Sequence, residues 1–420
     1  MYRQFLKQAW HQLKENRLLT FISVVGTALA IAMIMAMVIV QRVEVEPYAP
    51  EVNRDRTLYV KWISAKTDAG GFSNSALGAK TVKELFARMT TPEAVSAYVG
   101  MESNALAVGS DNTLMTVKMK PADDKFFKVF EFSFLAGAPY TEADNEAGLP
   151  KVVITETTAR KLYGTIDVVG QSIRLQYKDY TIVGVVSDVS TLASAAYAEV
   201  WMPLSSTGIG SFTYLDGVLG VLQVAILAKS PADFPVIREE FERLLVQYNE
   251  SLREAEVTVN FMGEPDTQIV YNNRKWANQP PDMKAFYWQF AIVIVLLLLV
   301  PAINLSGLTL SRMRKRYPEL GVRRAFGATR GELLGQIIME SLLLTLIGGV
   351  VGLLLSYGSL FLLDEMLFGM IGDVSLSVTA LIDPAVFGIA FLFCLILNLL
   401  SAGIPAWRAS RLNIVNALNA

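Results

Sequence analysis

The stretch SRMRKRYPELGVRRAFGATRGELLGQ, residues 311–336, is densely basic and lies between two apolar segments. Its seven basic residues are Arg312, Arg314, Lys315, Arg316, Arg323, Arg324 and Arg330. Short loops rich in Lys and Arg beside a membrane span stay in the cytoplasm, because such charges are poorly translocated. The stretch therefore predicts a membrane protein in which a basic loop, residues 312–332, faces the cytoplasm.

Apolar segments long enough to cross a bilayer lie on both sides of this loop. A hydrocarbon core of ordinary thickness needs about 20 apolar residues in helical form. Four segments satisfy this length and predict transmembrane helices at residues 18–41, 286–311, 333–363 and 385–405. A cleaved signal peptide is the alternative for the first segment. We favour an uncleaved anchor, because the apolar run is long and no clear cleavage site follows it.

Charged residues that flank the four segments give one consistent orientation. Residues 1–17 and 406–420 carry mainly basic charges, whereas the loop at residues 364–384 carries only acidic ones. We therefore expect both termini in the cytoplasm and residues 42–285 outside it. Residues 1–17 also place apolar side chains at helical spacing, which predicts an amphipathic helix on the inner leaflet. A cytosolic lead-in with no fixed position is the alternative.

Residues 42–285 have the mixed pattern of an α+β domain, in which short β-rich runs alternate with helical ones. An apolar stripe that starts near Ala232 predicts the clearest helix, and a second helix is predicted to end at Gly164. A domain of this size can form two lobes, and we place a β-rich lobe at about residues 120–205. The predicted strands cover residues 57–62, 114–119, 152–155, 172–175, 180–186, 199–202, 220–228 and 257–261.

Composition excludes several classes of function. The 420 residues include one Cys and one His, too few for a Cys/His metal site or a His-based catalytic triad. The net charge of −2 argues against nucleic-acid binding, and no GxxxxGK[ST] sequence that would bind ATP is present. We expect no enzyme active site. The acidic pairs at residues 123–124 and 239–240 are interpreted as solvated surface, and Trp201 and Trp276 as core residues rather than ligand contacts.

Small and kink-forming residues stand out within the predicted spans. Pro301 lacks a backbone N–H and is predicted to kink the second transmembrane helix. Gly348, Gly352 and Ser356 recur every four residues in the third, which would let another helix approach closely. We interpret this face as a helix-packing seam, either within one chain or across a dimer.

Several runs of the sequence resemble one known family. ELGVRRAFGATRGELLGQIIMES, residues 319–341, resembles the signature of the FtsX-like, or MacB-type, permeases of ABC transporters, and residues 405–413 resemble that family's ending. The runs FEFSFLAGAPYTEAD, VVITETTARKLYG and VGQSIRLQYKDYTIVGVV resemble the MacB-type periplasmic core domain. The resemblance covers nearly the whole chain in the right order, and it specifies the family far better than the substrate.

The resemblance implies an integral membrane protein of the bacterial inner membrane, with four transmembrane helices and a large extracytoplasmic α+β domain. It also implies a homodimer or a paralogous heterodimer, and a cytosolic ABC ATPase as partner. Because 17 residues precede the first predicted span, we expect this ATPase to be a separate polypeptide that binds the ATP, with no cofactor in this chain. Further partners suggested by the family are a periplasmic adaptor, an outer-membrane duct and membrane lipids.

By this resemblance, a cytoplasmic segment docks onto the ATPase and passes its motion to the periplasmic domain, a process called mechanotransmission. The residues assigned to this coupling segment are Glu319, Leu320, Gly321, Val322, Arg323, Arg324, Ala325, Phe326 and Gly327. The alternative is that Arg323 and Arg324 bind lipid phosphates and only fix the topology.

The expected function is that of a non-catalytic permease subunit that acts in export or extraction of a periplasmic or membrane-borne substrate. Two alternatives stay open at this point. One is an ATPase-coupled regulator of a cell-wall hydrolase, and the other is an ATPase-independent membrane scaffold.

Overall fold

A computed structural model describes residues 2–15, 17–109, 112–315, 322, 326–327 and 329–363, together with residues 387–389, 391–392, 395–396 and 399–400. The chain divides into two units. The helical unit holds the described residues up to Arg42 and from Lys284 onwards, and the β unit holds residues 43–283. The predicted loop at residues 364–384 and the tail at residues 406–420 lie outside the described residues.

Long helices make up most of the helical unit, whereas strands and shorter helices make up the β unit. The α-helices of the described residues are α1 (Tyr2–Glu15), α2 (Arg17–Val43), α3 (Ala79–Glu84), α4 (Phe126–Val129), α5 (Glu142–Glu146), α6 (Glu156–Tyr163), α7 (Leu204–Thr207), α8 (Phe234–Ser251), α9 (Gln268–Asn273), α10 (Met283–Lys315) and α11 (Arg330–Leu363). The strands are β1 (Thr57–Val60), β2 (Ile63–Thr67), β3 (Phe72–Leu77), β4 (Ala94–Val99), β5 (Ser103–Val108), β6 (Leu114–Ala122), β7 (Phe134–Gly137), β8 (Lys151–Thr155), β9 (Ser172–Leu175), β10 (Lys178–Val186), β11 (Val200–Pro203), β12 (Leu219–Gly220), β13 (Leu222–Leu227) and β14 (Val257–Asn260).

Within the described residues, two helices are long and apolar enough to cross a membrane. They contain the 23-residue stretches Arg17–Ile39 in α2 and Leu334–Ser356 in α11. Helix α10 begins with a shorter apolar run, Met283–Leu297, and is helical throughout the predicted second span. Of the predicted fourth span, only helical residues between positions 387 and 400 are described. The number of spans therefore stays a prediction.

Helix α1 has one buried edge and one exposed edge. Ala9 and Leu13 are buried, whereas Trp10 is half exposed, as expected of an amphipathic helix. The helix packs against α11, and the Thr20 hydroxyl of α2 donates a hydrogen bond of 3.0 Å to the Leu13 carbonyl. The position of α1 on a membrane surface stays a prediction.

Strand β13 is the centre of the first lobe of the β unit, the sheet lobe. It lies between β1 and β4 and pairs antiparallel with both, for example at Ala225, which lies opposite Tyr59 and Ser96. All six residues of β13 are buried because both faces of the strand are covered. Val224 and Ile226 join a cluster with helix α8, while Ala225 and Leu227 join an aromatic cluster around Trp201. This double coverage explains the almost continuous apolar sequence of the strand.

The second lobe, the barrel lobe, is a ring of six described strands in the order β6, β5, β9, β10, β8 and β11. The ring closes because β11 pairs parallel with β6, at positions such as Trp201 opposite Lys120. Alternate residues point inward and form one core, since successive side chains of a strand face opposite sides. Helix α6 packs on the barrel and ends at Gly164, whose φ of +74° matches the predicted C-cap.

The strands of the barrel lobe run from Ser103 to Pro203, so they begin before the expected boundary near residue 120. Strand β5 was not predicted because its sequence, SNALAV, has few β-branched or aromatic residues. Its alternating burial nevertheless places Ala105 and Ala107 in the barrel core. Each predicted strand is present with limits that differ by no more than three residues from those expected.

The expectation for Trp276 is wrong, and the expectation for the two acidic pairs is correct only in part. Trp276 is 63% exposed and lies in the irregular segment between α9 and α10, whereas Trp201 is fully buried as predicted. The acidic pairs are only partly solvated. Asp123 accepts hydrogen bonds from the Ser96 hydroxyl and the Ala97 N–H, both at 2.7 Å. Glu240 is buried and accepts bonds from residues 90–91. These carboxylates satisfy distant backbone donors, which local sequence does not reveal.

Candidate functional site

The predicted coupling segment is described at three of its nine residues. Val322, Phe326 and Gly327 lie within the described residues, whereas Glu319, Leu320, Gly321, Arg323, Arg324 and Ala325 lie outside them. The Phe326 N–H donates to the Val322 carbonyl at 3.1 Å, which closes one helical turn. Gly327 has a φ of +96°, a left-handed conformation that favours glycine and ends the turn.

The two apolar side chains of this turn are exposed. Val322 is 44% exposed and Phe326 is 89% exposed. Residues four apart in a helical turn lie on the same face, so the spacing of the pair predicts that both side chains face one side of a strongly basic stretch of sequence. Aromatic side chains such as phenylalanine are enriched at protein interfaces relative to the rest of the surface.

A capping box begins helix α11, two residues after this segment. The Thr329 N–H donates to the Glu332 carboxylate at 2.9 Å, and the Glu332 N–H donates to the Thr329 hydroxyl at 3.3 Å. The two bonds satisfy N–H groups that the first turn of a helix leaves free. This capping box was not predicted from the sequence, although the Thr-x-x-Glu spacing is its known signal.

The small-residue face of α11 packs against α2 of the same chain. A Cβ added at Gly348 would lie 2.8 Å from the Thr27 Cβ, and one at Gly352 would lie 2.9 Å from the Ala28 carbonyl oxygen. Ser356 is buried, and its hydroxyl donates to the Gly352 carbonyl at 2.8 Å. Gly348 and Gly352 thus contact α2 within the chain, while the role of this face as a packing or dimer seam stays a prediction. Pro301 lies inside α10, and the kink predicted there stays a prediction.

Two segments of the β unit connect it to helices α2 and α10. The entry segment, residues 44–62, follows α2, and the exit segment, residues 262–279, precedes α10. Together we call them the junction. In the entry segment, Arg54 is buried and pairs with Glu51 at 2.5 Å, and it also donates to the Tyr48 hydroxyl and the Leu192 carbonyl, both at 2.9 Å. The other oxygen of Glu51 accepts the backbone N–H groups of residues 195 and 196.

A second buried arginine organises the exit segment. Arg274 contacts Asp266 at 2.5 Å and Glu264 at 2.9 Å, with both carboxylates buried. Glu264 also accepts backbone N–H bonds from Lys61 and Trp62 of the entry segment, at 2.9 and 3.3 Å. Burial raises the pKa of Glu264 to about 8, and the neighbouring Arg274 opposes that rise.

A cleft of about 690 Å³ opens beside the junction. Glu44 and Lys61 of the entry segment, Asn272 of the exit segment, Gly100 and Leu192 are among the residues that line it. Burial lowers the pKa of Lys61. Within the described residues, no group of three or more His, Cys, Asp or Glu side chains that could hold a metal is found. Neither the cleft nor the junction was foreseen from sequence, because both are assembled from distant segments.

Comparisons with known proteins agree with this architecture. Residues 20–244, more than half of the chain, match the MacB-like periplasmic core domain, and residues 291–414 match the FtsX-like permease C-terminal domain. The macrolide export ATP-binding/permease protein MacB 1 of Yersinia pestis bv. Antiqua (strain Antiqua) is 25% identical to this chain. That alignment covers 99% of the chain and 60% of the relative.

A second relative gives the same picture. The macrolide export ATP-binding/permease protein MacB of Salmonella paratyphi A (strain ATCC 9150 / SARB42) is 24% identical over 99% of this chain and 60% of its own length. The chain thus spans about 60% of the length of these relatives.

Among solved structures, the periplasmic region of MacB from Actinobacillus actinomycetemcomitans is 14% identical to this chain. The match covers 48% of this chain and 88% of that structure, with a TM-score of 0.34. On the evidence of the two domain matches and the apolar helices, the chain belongs to the MacB-like, FtsX-like family of ABC transporter permeases of the bacterial inner membrane.

Proposed function

We propose that this chain is a permease subunit that converts ATP hydrolysis by a separate cytosolic ATPase into motion of its periplasmic core domain. The proposal includes four transmembrane helices, both termini in the cytoplasm and two permease subunits per transporter. The moving domain acts on a periplasmic or membrane-borne substrate in export or extraction. The observation that carries the proposal is the exposed pair Val322 and Phe326 on a helical turn in the basic stretch.

The exposed pair supports docking for an energetic reason. Leaving a phenyl ring in water forgoes the stabilisation that its burial would give, about 2 kcal/mol for a side chain of this size. A pocket on an ATPase would recover that free energy, and the surrounding basic residues would orient the encounter with an acidic surface. Arg323 and Arg324 are proposed to contribute to the same docking.

The connections of the turn support transmission of a displacement. The turn precedes α11 directly in the chain, a capping box fixes the first turn of α11, and the close contacts of Gly348 and Gly352 join α11 to α2. Closely packed interiors have low compressibility, so a displacement of one such helix is passed to its neighbour. We infer that docking movements reach α2 by this route.

A pair of matched substitutions tests the docking. We expect Phe326→Ser to weaken association with the ATPase about tenfold, equivalent to about 1.4 kcal/mol, because an aromatic anchor is lost. Stimulation of ATP hydrolysis should fall with it. The measurement is co-purification of the full chain with its ATPase, followed by the hydrolysis rate in nanodiscs. Arg323→Glu combined with Arg324→Glu should show the same loss.

Tyr177→Ser is the control, since Tyr177 is 96% exposed but lies in the β unit. It should leave both association and hydrolysis unchanged. If Phe326→Ser bound and stimulated the ATPase as well as the control does, the assignment of this turn to docking would be wrong. A wild-type chain that associates with no ATPase would instead favour a membrane scaffold.

A further inference from the structure

The junction is where the chain passes between the β unit and its two long helices. Helix α2 ends at Val43 and the entry segment follows at once, while the exit segment leads into α10 at Met283. Movement of these helix ends that travels along the chain therefore enters the β unit through the junction, whose strand β1 itself pairs with β13 of the sheet lobe. How the two segments are attached decides whether that movement is absorbed or transmitted.

A buried ion pair attaches the entry segment to the loop that precedes barrel strand β11. Arg54 and Glu51 have almost no exposed surface, and between them they bind the backbone of the loop at residues 192–196. Lys120 of barrel strand β6 donates to the Ala195 carbonyl of the same loop at 2.7 Å. Separating these groups would leave a charged side chain buried without a partner, which is strongly unfavourable.

The exit segment is attached to the entry segment along its length. Tyr59 and Asp266 exchange two backbone hydrogen bonds of 2.8 Å, and their neighbour Tyr271 packs its ring on that of Tyr59 with centroids 4.8 Å apart. Glu264 accepts backbone N–H bonds from residues 61 and 62. Nearest to the helix ends, the Asn272 amide donates to the Glu44 carbonyl at 2.9 Å.

We propose that the junction is a rigid coupling block, in which the two segments move as one and carry displacements of α2 and α10 together into the β unit. This inference rests on the proposed function. In it, Arg54 and Arg274 are positioning residues that hold the segments. Asn272 makes the shorter of two side-chain amide bonds, the other from Gln268, that tie the exit segment to Glu44 at the start of the entry segment. Without this block, two separate connecting segments would flex independently and dissipate the movement.

The variant that tests the block is Asn272→Ala, and Asn273→Ala is its matched control. Both substitutions remove a side-chain amide that donates one hydrogen bond, and Asn272→Ala also removes the oxygen that accepts a 3.4 Å bond from the Gln268 amide of the same helix. The bond of Asn272 joins the two segments, whereas Asn273 donates to the Ile269 carbonyl of its own helix at 2.8 Å. Neither substitution touches the buried charges, so both full-length proteins are expected to fold.

The first measurement is amide hydrogen exchange of the full chain in nanodiscs without nucleotide. In Asn272→Ala we expect the amides of Tyr59 and Asp266 to exchange about fivefold faster, the factor given by loss of one hydrogen bond. Asn273→Ala should exchange like the wild type at these positions. Equal exchange in the two variants would overturn the proposal, whatever the ATPase does.

The second measurement adds the ATPase with ATP and vanadate, which arrests the hydrolytic cycle. In the wild type and in Asn273→Ala, we expect nucleotide to change the exchange of strand β13. In Asn272→Ala, ATP turnover measured without vanadate should be unchanged, while the response of β13 in the arrested complex is at least halved, because the helices still move but the block transmits less. A full β13 response in Asn272→Ala would overturn the proposal.

Absence of any β13 response in the wild type would instead overturn the proposed function. The hydrogen exchange measured without nucleotide would still decide whether the entry and exit segments are joined.

Discussion

Lys120 shows how one buried side chain links stability to pH. It lies in β6 with no exposed surface, and its ammonium donates to the carbonyls of Ala195 at 2.7 Å and Ser194 at 3.4 Å. Burial lowers the pKa of Lys120 to about 8, because the charged form is poorly solvated there. In the unfolded chain a lysine keeps its proton up to about pH 10.4. Between these values, unfolding takes up a proton, so the free energy of unfolding rises with pH.

We therefore predict that the free energy of unfolding of the β unit rises by about 1.5 kcal/mol from pH 8 to pH 9.5 because of Lys120. Lys120→Met should abolish this rise, since it removes the titrating group. The measurement is denaturant unfolding of the full chain in detergent at several pH values, followed by tryptophan fluorescence. A Lys120→Met protein with the wild-type pH dependence would contradict the prediction.

Single residues were predictable where the signal is local. The left-handed C-cap at Gly164 and the burial of Trp201 were predicted correctly, because a glycine after a helical run and a tryptophan in a β-rich run have strong local preferences. The prediction for Trp276 was wrong, since its exposure depends on an irregular segment. The junction arginines were not predicted, because the partners of Arg54 include a carbonyl 138 positions away in the sequence.

At the scale of elements, the contact between α2 and α11 depends on the absence of side chains. Gly352 lets α11 approach the Ala28 carbonyl and Ile31 so closely that a Cβ would lie 2.9 and 3.0 Å from them. On the same helix, Gly358 has no atom within 4 Å of such a Cβ. The two glycines thus differ in their surroundings while sharing a helix and a residue type.

We predict that Gly352→Leu destabilises the full chain by about 1–3 kcal/mol, because the new side chain forces the two helices apart. Gly358→Leu should change stability by less than about 0.5 kcal/mol. Thermal unfolding of the two variants in nanodiscs checks the difference. Equal stabilities would mean that α2 does not pack on this face of α11.

Most of the predicted strands are rich in apolar and β-branched residues, although β4, with the sequence AVSAYV, was missed despite its apolar composition. The prediction of β13 was secure because LQVAIL is buried on both faces. β3, with the sequence FSNSAL, has low β propensity and is held in place by its pairing with β2, from Ser75 opposite Ile63 onwards. Such strands depend on a partner that local sequence does not specify.

At the scale of the whole molecule, the distribution of basic residues predicts how the chain is oriented in the membrane. Phe326 lies in the basic stretch that is expected in the cytoplasm, and Tyr177 lies in the core domain that is expected outside. Both side chains are well exposed, so a cysteine at either position would be reachable from its own side of the membrane. The native Cys394 is replaced by serine in this experiment.

We predict that a membrane-impermeant maleimide labels Tyr177→Cys on spheroplasts, because the core domain faces outward. It should label Phe326→Cys only after the membrane is permeabilised. Labelling is read as a mass shift of the purified protein. Labelling of Phe326→Cys on sealed spheroplasts would reverse the proposed orientation.

The closed ring of the barrel lobe has a consequence for a protein held at high local density. Each of its six strands already has a neighbour on both sides, because β11 meets β6. Open sheet margins offer unpaired amides on which another molecule can polymerise. A closed ring has no such edge. Many copies of the protein can therefore be present at high density in one membrane without associating through edge-to-edge pairing of these strands.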